Sequence, residues 1–231
     1  MSKPTLYGKL PLLPLLGLLV LVPLAGGQET KTLLQIQHLR AELESDSNTM
    51  SIGRNPYETG MKGQGQLDVQ NYPNSATCLV VYEDGKYFLE KRDEHTIGKP
   101  KAKSAEGVLA ADDLQRLKAM LDNEDLQKVT TPKALDLPPD AQMIKEAERL
   151  DVQIGRAATL QQFSLMKERV KTGNAIGVSS SASLTGMDTY LDNGAPYKKT
   201  LAPLMKWFDE MAKKNKLKES KPQYCQAAGI N

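Results

Sequence analysis

Residues 77–92 read Thr-Cys-Leu-Val-Val-Tyr-Glu-Asp-Gly-Lys-Tyr-Phe-Leu-Glu-Lys-Arg. Two runs rich in β-branched and aromatic side chains flank Asp84-Gly85, a pair that readily takes positive φ, and this predicts a β-hairpin closed by a two-residue turn. That turn sets a register. Tyr82 faces Tyr87, Val80 faces Leu89 and Cys78 faces Lys91 on one side, while Val81 meets Phe88 on the other. Glu83 opposite Lys86 adds an opposite-charge pair worth up to about 1 kcal/mol.

Upstream, the chain opens with Lys3 and Lys9 and no acid, then runs through residues 10–25 without a charge or a hydrogen-bonding side chain. This is a secretory signal pattern. The apolar run is shorter than the roughly 20 residues a spanning helix needs, and Pro11, Pro14, Gly17 and Pro23 interrupt it. Ala25 and Gly27 suit cleavage before Gln28; the alternative is an uncleaved N-terminal membrane anchor. Either places the body outside the cytosol, periplasmic or secreted. All 28 acidic residues follow position 27, as do 28 of the 30 basic ones, so the net charge of +2 belongs to the signal segment. A balanced body gives no electrostatic argument for nucleic acid.

Two cysteines, Cys78 and Cys225, suit a disulfide in an exported chain. Closing a loop of about 150 residues would contribute roughly 5 kcal/mol in the chain-entropy account, before native strain. The alternative is a buried thiol at Cys78 and an exposed one at Cys225.

Between signal and hairpin, Leu33, Ile36, Leu39 and Leu43 recur at helical spacing, predicting a helix over residues 32–44. A helix of this length is marginal alone, so this one docks, pairs with a second copy through those four side chains, or melts. Residues 45–74 are rich in Gly, Asn, Ser and Gln and read as a mobile linker. After the hairpin, residues 93–106 read as a polar loop. Ala111-Asp112-Asp113 then opens an amphipathic helix carrying Leu114, Leu117, Met120, Leu121 and Leu126, with acids where the helix dipole favours them. Pro132, Pro138 and Pro139 bar helix, and a short helix is expected over residues 141–149. Leu150, Val152 and Ile154 alternate as a strand, and residues 160–166, with Phe163 and Leu165, form another after a turn over residues 155–159. Residues 175–184 are a third, weaker strand candidate. A last helix carries Leu201, Leu204, Met205, Phe208 and Met211, with Thr200 as its cap so that Pro203 falls in the first turn.

The expected fold is α+β: an antiparallel sheet built from β-hairpins with two amphipathic helices packed on it, preceded by a signal segment and a mobile N-terminal region. The divisions are residues 1–27, signal; 28–71, N-terminal helix and linker; 72–216, globular domain; and 217–231, tail.

Catalytic patterns are scarce. His38 and His95 are the only histidines, and neither metal-ligand spacing nor a cofactor motif accompanies them, so no metal or cofactor is expected. Residues 177–183, Gly-Val-Ser-Ser-Ser-Ala-Ser, lack the second glycine of a nucleophile elbow. Asp112/Asp113 and Glu146/Glu148 read as helix-surface acids, and the glycines of residues 60–65 precede no phosphate-binding helix. From Lys198 to Lys221 there are eight lysines and three acids. Lys198, Lys199, Lys206, Lys213 and Lys214 thus form a basic surface suited to weak contact with an anionic membrane, although a solvated helix face has the same composition. The function expected is a non-catalytic exported binding or interaction module, with strand addition at an open hairpin edge as one mode. Its rival is a hydrolytic enzyme using carboxylates or a Ser/Lys pair.

Overall fold

The segment read as an N-terminal helix is instead strand β1 (Thr32–Glu42) at the middle of the sheet. Its spacing of 33, 36 and 39 suits a helix, but Leu34 and Ile36 also alternate toward one face and Leu39 and Ala41 toward the other. All four are buried. A lone helix of this length gains little in water, whereas a central strand gains a ladder on each side, and tertiary pairing wins. The computed structural model describes residues 31–42, 61–62, 66–67, 74–93, 101–156, 159–173 and 187–221. The proposed signal, Leu43, His95, the glycines of residues 60–65, the serines of residues 177–183, the strand candidate at 175–184 and Cys225 lie outside these residues.

One side of β1 pairs antiparallel with β4 (Ser75–Tyr82), followed by β5 (Lys86–Asp93) and β6 (Lys101–Val108); the other pairs with β7 (Ala141–Gly155), followed by β8 (Leu160–Thr172) and β9 (Met187–Asp192). Short β10 (Lys218–Ser220) adds to β6, giving the order β10-β6-β5-β4-β1-β7-β8-β9. A separate two-stranded ribbon, β2 (Met61–Lys62) with β3 (Gln66–Leu67), packs against β7. The α+β class with an antiparallel sheet therefore holds. Several boundaries differ: β1 joins the sheet from the segment read as helix and linker, and β10 from the segment read as tail.

The central hairpin is present with a different turn. Gly85, at φ +85°, follows a turn in which its N–H donates to Tyr82 O at 2.9 Å. Glu83, Asp84 and Gly85 together form a three-residue loop ending in the left-handed region. One more loop residue slides the pairing by one. Val81 faces Tyr87, Leu79 faces Leu89, and Cys78 faces Glu90 rather than Lys91. Lys86 pairs with Asp84 at 2.8 Å in place of Glu83. Both hairpin strands have further partners, so the hairpin offers no open edge among the described residues.

Residues 141–149, rich in helix formers, extend β7 along β8, with β1 on the other side from Glu146 onward. Residues 101–108, read as polar loop, form β6 along the whole of β5, with β10 on the other side at residues 102–104. Gly155 is required where β7 meets β1, since a Cβ there would lie 2.1 Å from Thr32 O.

Helices α1 (Ala111–Leu121), α2 (Glu124–Gln127) and α3 (Lys198–Lys214) cover one face of the sheet. Leu117, Leu121, Leu126, Leu201, Leu204, Trp207 and Phe208 bury there against Leu34, Ile36, Leu79, Val81, Leu89, Val152, Ile154 and Phe163. Helix α3 begins at Lys198 after a 3-10 turn, so Pro203 sits in its second turn rather than its first, and Thr200 is not its cap. The missing N–H lies at an exposed position, Pro203 being on the solvent side. Arg156 ties the layers together by donating to Leu121 O at 3.0 Å, and Gln161 donates to Leu126 O and Val129 O.

Leu204→Ala or Phe208→Ala should cost about 2–5 kcal/mol by urea unfolding; an unchanged midpoint would make α3 peripheral. Gly155→Ala, forced against a backbone oxygen, should cost about 1–3 kcal/mol in the same measurement.

Candidate functional site

The strands are longer than the helical layer is wide. Fifteen residues of β7 extend about 50 Å, whereas a helix is about 10 Å across. Helix α3 crosses the strands, starting where Gly194 approaches Leu165 of β8 and ending where Tyr87 of β5 donates to Asn215 Oδ1 at 2.6 Å. One end of the face is therefore core, and the other end of the same face carries polar side chains that no described helix covers.

Register places those side chains. Next to the helical layer lies the row Leu165, Leu150, His38, Thr77, Lys91, Lys103, each directly across from the next. Beyond it lies Lys167, Glu148, Arg40, Ser75, and then Arg169, Glu146, Glu42. The charges interlock. Arg40 bonds to Glu146 and lies 3.6 Å from Glu148, which also faces Lys167 at 3.6 Å. Arg169 reaches Glu146 at 3.4 Å and both Glu42 and Asp188 at 3.8 Å, and Lys145 holds Asp188 at 3.1 Å. Four cations thus meet four carboxylates. The hydrogen bond to Glu146 pushes the Arg40 guanidinium further up, and that from Lys145 holds the Asp188 carboxyl below its usual range.

Glu146 and Glu148, read from the sequence as helix-surface acids, are two apart on a strand and so share this face. Both are engaged by cations of neighbouring strands, Glu146 by Arg40 and Arg169 and Glu148 by Arg40 and Lys167. Asp112 and Asp113 do lie in the first turn of α1. Sequence reasoning passed over a Ser-x-x-Lys spacing at Ser164-Leu165-Met166-Lys167. On a helix that spacing puts both groups on one side; on β8 it puts them on opposite faces. Ser164 Oγ donates to Asp151, and Lys167 faces Glu148. They cannot act on one substrate atom.

His38 sits where the core gives way to charge. Burial holds its imidazole below its usual pKa, against the opposing pull of Glu148 on β7 and Asp209 on α3, with Arg40 and Lys167 adding to the lowering. Among the described residues, no three His, Cys, Asp or Glu side chains converge as a metal site. The lysines singled out on α3, Lys198, Lys199, Lys206, Lys213 and Lys214, are all exposed. Lys199, Lys206 and Lys213 recur every seven residues along one stripe, and Lys214 lies 3.9 Å from Glu210. Leu33, Ile36 and Leu39, considered for self-association, are buried within this chain, which leaves them no surface for a second copy.

On the opposite face Glu168, across from Ala147 and Leu191, is 8% exposed, and burial raises its carboxyl pKa. Cys78 lies on that face too, 4% exposed and disulfide-bonded.

Two titrations should act in opposite directions. His38, with its pKa lowered in the fold, contributes stability above the unfolded histidine value that is lost as pH falls through the lower folded value. Glu168, with its pKa raised, contributes stability below the unfolded carboxyl value that is lost as pH rises through the higher folded value. In urea unfolding across pH 4–8, His38→Gln should flatten the acid-side loss, and Glu168→Gln should raise stability at pH 7 relative to wild type. A wild-type pH dependence in both variants would contradict these assignments.

Comparison with known protein families, characterised proteins and solved structures finds no match.

Proposed function

We propose that this protein is a non-catalytic binding module that works outside the cytosol, in the periplasm or secreted, with the open half of the helix-bearing sheet face as its docking surface. The observation that carries this reading is the interlocked set of Arg40, Lys145, Lys167 and Arg169 with Glu42, Glu146, Glu148 and Asp188. Partly exposed ion pairs contribute little to stability, so folding alone gives weak reason for eight such groups on one patch. A flat surface of fixed, alternating charge suits a polar partner that exchanges some of these pairs for its own. A hydrolase would instead need a carboxylate or serine left poised for a substrate. The groups described here are engaged with one another. The exposed lysines of α3 supply a second, weaker contact, to an anionic membrane surface.

Photocrosslinking residues placed at Thr77 and Lys167, with Ala119 on the exposed side of α1 as control, should give adducts in the exporting cell at the first two positions only. Equal labelling at all three would remove the docking surface. Turnover of a chromogenic ester, glycoside or peptide substrate that is abolished by Glu148→Gln would remove the non-catalytic reading. Vesicles of anionic phospholipid should sediment the protein at about 20 mM salt and release it near 150 mM, as screening shortens the reach of the lysines; no sedimentation at low salt would dismiss the membrane contact.

A further inference from the structure

Strand β9 ends the sheet, and among the described residues no strand pairs with its outer side. The ladder to β8 fixes which backbone groups that side presents. Asn193 N–H donates to Met166 O at 3.1 Å, and along an antiparallel pair bonded and non-bonded residues alternate. Leu191, Thr189 and Met187 therefore turn their backbone groups toward Glu168, Val170 and Thr172 of β8, and Asp192, Tyr190 and Asp188 turn theirs outward. The side chains of β9 are sorted by face. Asp188, Tyr190 and Asp192 stand across from Lys171, Arg169 and Lys167 on the charged face, whereas Met187, Thr189 and Leu191 stand on the other. Side chains at this edge reach solvent: Met187 is 79% and Tyr190 65% exposed, and both aspartates are exposed too. Asp188 is held from the inner side by Lys145 and Arg169. Asp192, whose Oδ1 accepts from Gly194 N–H at 2.8 Å, has no ion-pair partner among the described residues.

We propose that this edge is a strand-addition site for a basic segment of another protein, one that lies antiparallel to β9 and alternates lysine or arginine with apolar residues. Main-chain bonds to Asp188, Tyr190 and Asp192 extend the ladder, and the alternation of side chains gives selectivity. The partner residues bonded to Asp188 and Asp192 share the charged face with them. A cation directly across from a carboxylate favours the pair, and a second carboxylate opposes it. The partner residues in between fall beside Met187, Thr189 and Leu191, where apolar side chains take exposed methionine surface out of water. The same register disfavours a second copy of this chain. A two-fold pairing of β9 with itself that engages all three outward residues sets Asp188 of each copy across from Asp192 of the other, like charges directly opposed. An acidic segment meets the same repulsion. The edge takes its partner in the plane of the sheet and the charged face takes one above it, so neither site depends on the other.

The probe is an octapeptide of alternating lysine and valine, blocked at both ends and added in large excess to the isotope-labelled full chain. Hydrogen exchange at the Asp188, Tyr190 and Asp192 amides, read by NMR, should slow about tenfold or more. Methylating the peptide backbone separates pairing from charge without any variant of the protein. Methyl groups on the lysine amides, which face β9, should abolish the protection, and methyl groups on the valine amides, which face away, should leave it. A peptide of alternating glutamate and valine should give none. Asp192→Asn, which keeps the acceptor for Gly194, should weaken the lysine peptide severalfold. Unchanged exchange at all three amides, or equal protection by the lysine-methylated or the glutamate peptide, overturns the proposal. Protection of the same amides that grows with protein concentration, with no peptide present, assigns the edge to a second copy and overturns it too.

Discussion

The sheet depends on one strand. Among the described strands β1 alone joins the β4-β5-β6 meander to the β7-β8-β9 meander, hydrogen-bonded to both. Without it two three-stranded units would each expose a long inner edge and half of a hydrophobic face, a recognised route to aggregation. With it, Leu34 and Ile36 join Leu79 and Val81 on one side to Val152 and Ile154 on the other in a single core. The closure is long-range, since β1 must find β7 more than a hundred residues away. Such non-local pairing makes for slow folding.

Strand length then decides what the surface looks like. Two helices can cover only part of strands as long as β7 and β8, so the sheet face is divided into a dry end under α1 and α3 and a wet end that must be compatible with water. Placing arginine and lysine across from glutamate and aspartate in neighbouring strands meets that need and discourages a second sheet from stacking there. His38 stands at the boundary, with Ile36 on its core side and Arg40 on its charged side along β1.

The outer edges are handled locally. Along β8 beyond the reach of β9, Ser164 N–H donates to Thr131 Oγ1 at 3.1 Å and Met166 N–H to Asn193 Oδ1 at 2.7 Å, while Asn193 N–H returns a bond to Met166 O. Side chains thus take the place of a neighbouring strand. At the other end β10, three residues long, covers residues 102–104 of β6. Short edge strands and side-chain caps both reduce templating by other chains.

The sequence by itself determined the elements whose information is local. The Asp84-Gly85 turn, the amphipathic stripes of α1 and α3, and the alternation at Leu150, Val152 and Ile154 all appear where the pattern put them, because turn φ and side-chain periodicity are properties of a few adjacent residues. Even there the register slid by one, since a two- and a three-residue loop differ only in how Glu83 and Gly85 are used. Tertiary structure alone decided the state of residues 32–42, 101–108 and 141–149. Their composition suits a helix or a loop, and they are strands because each is laddered to a strand on one side along its length and on the other over at least part of it. The charged face was illegible for the same reason: Arg40, Glu148 and Lys167 are far apart along the chain, and only the ladders of β1, β7 and β8 set them side by side.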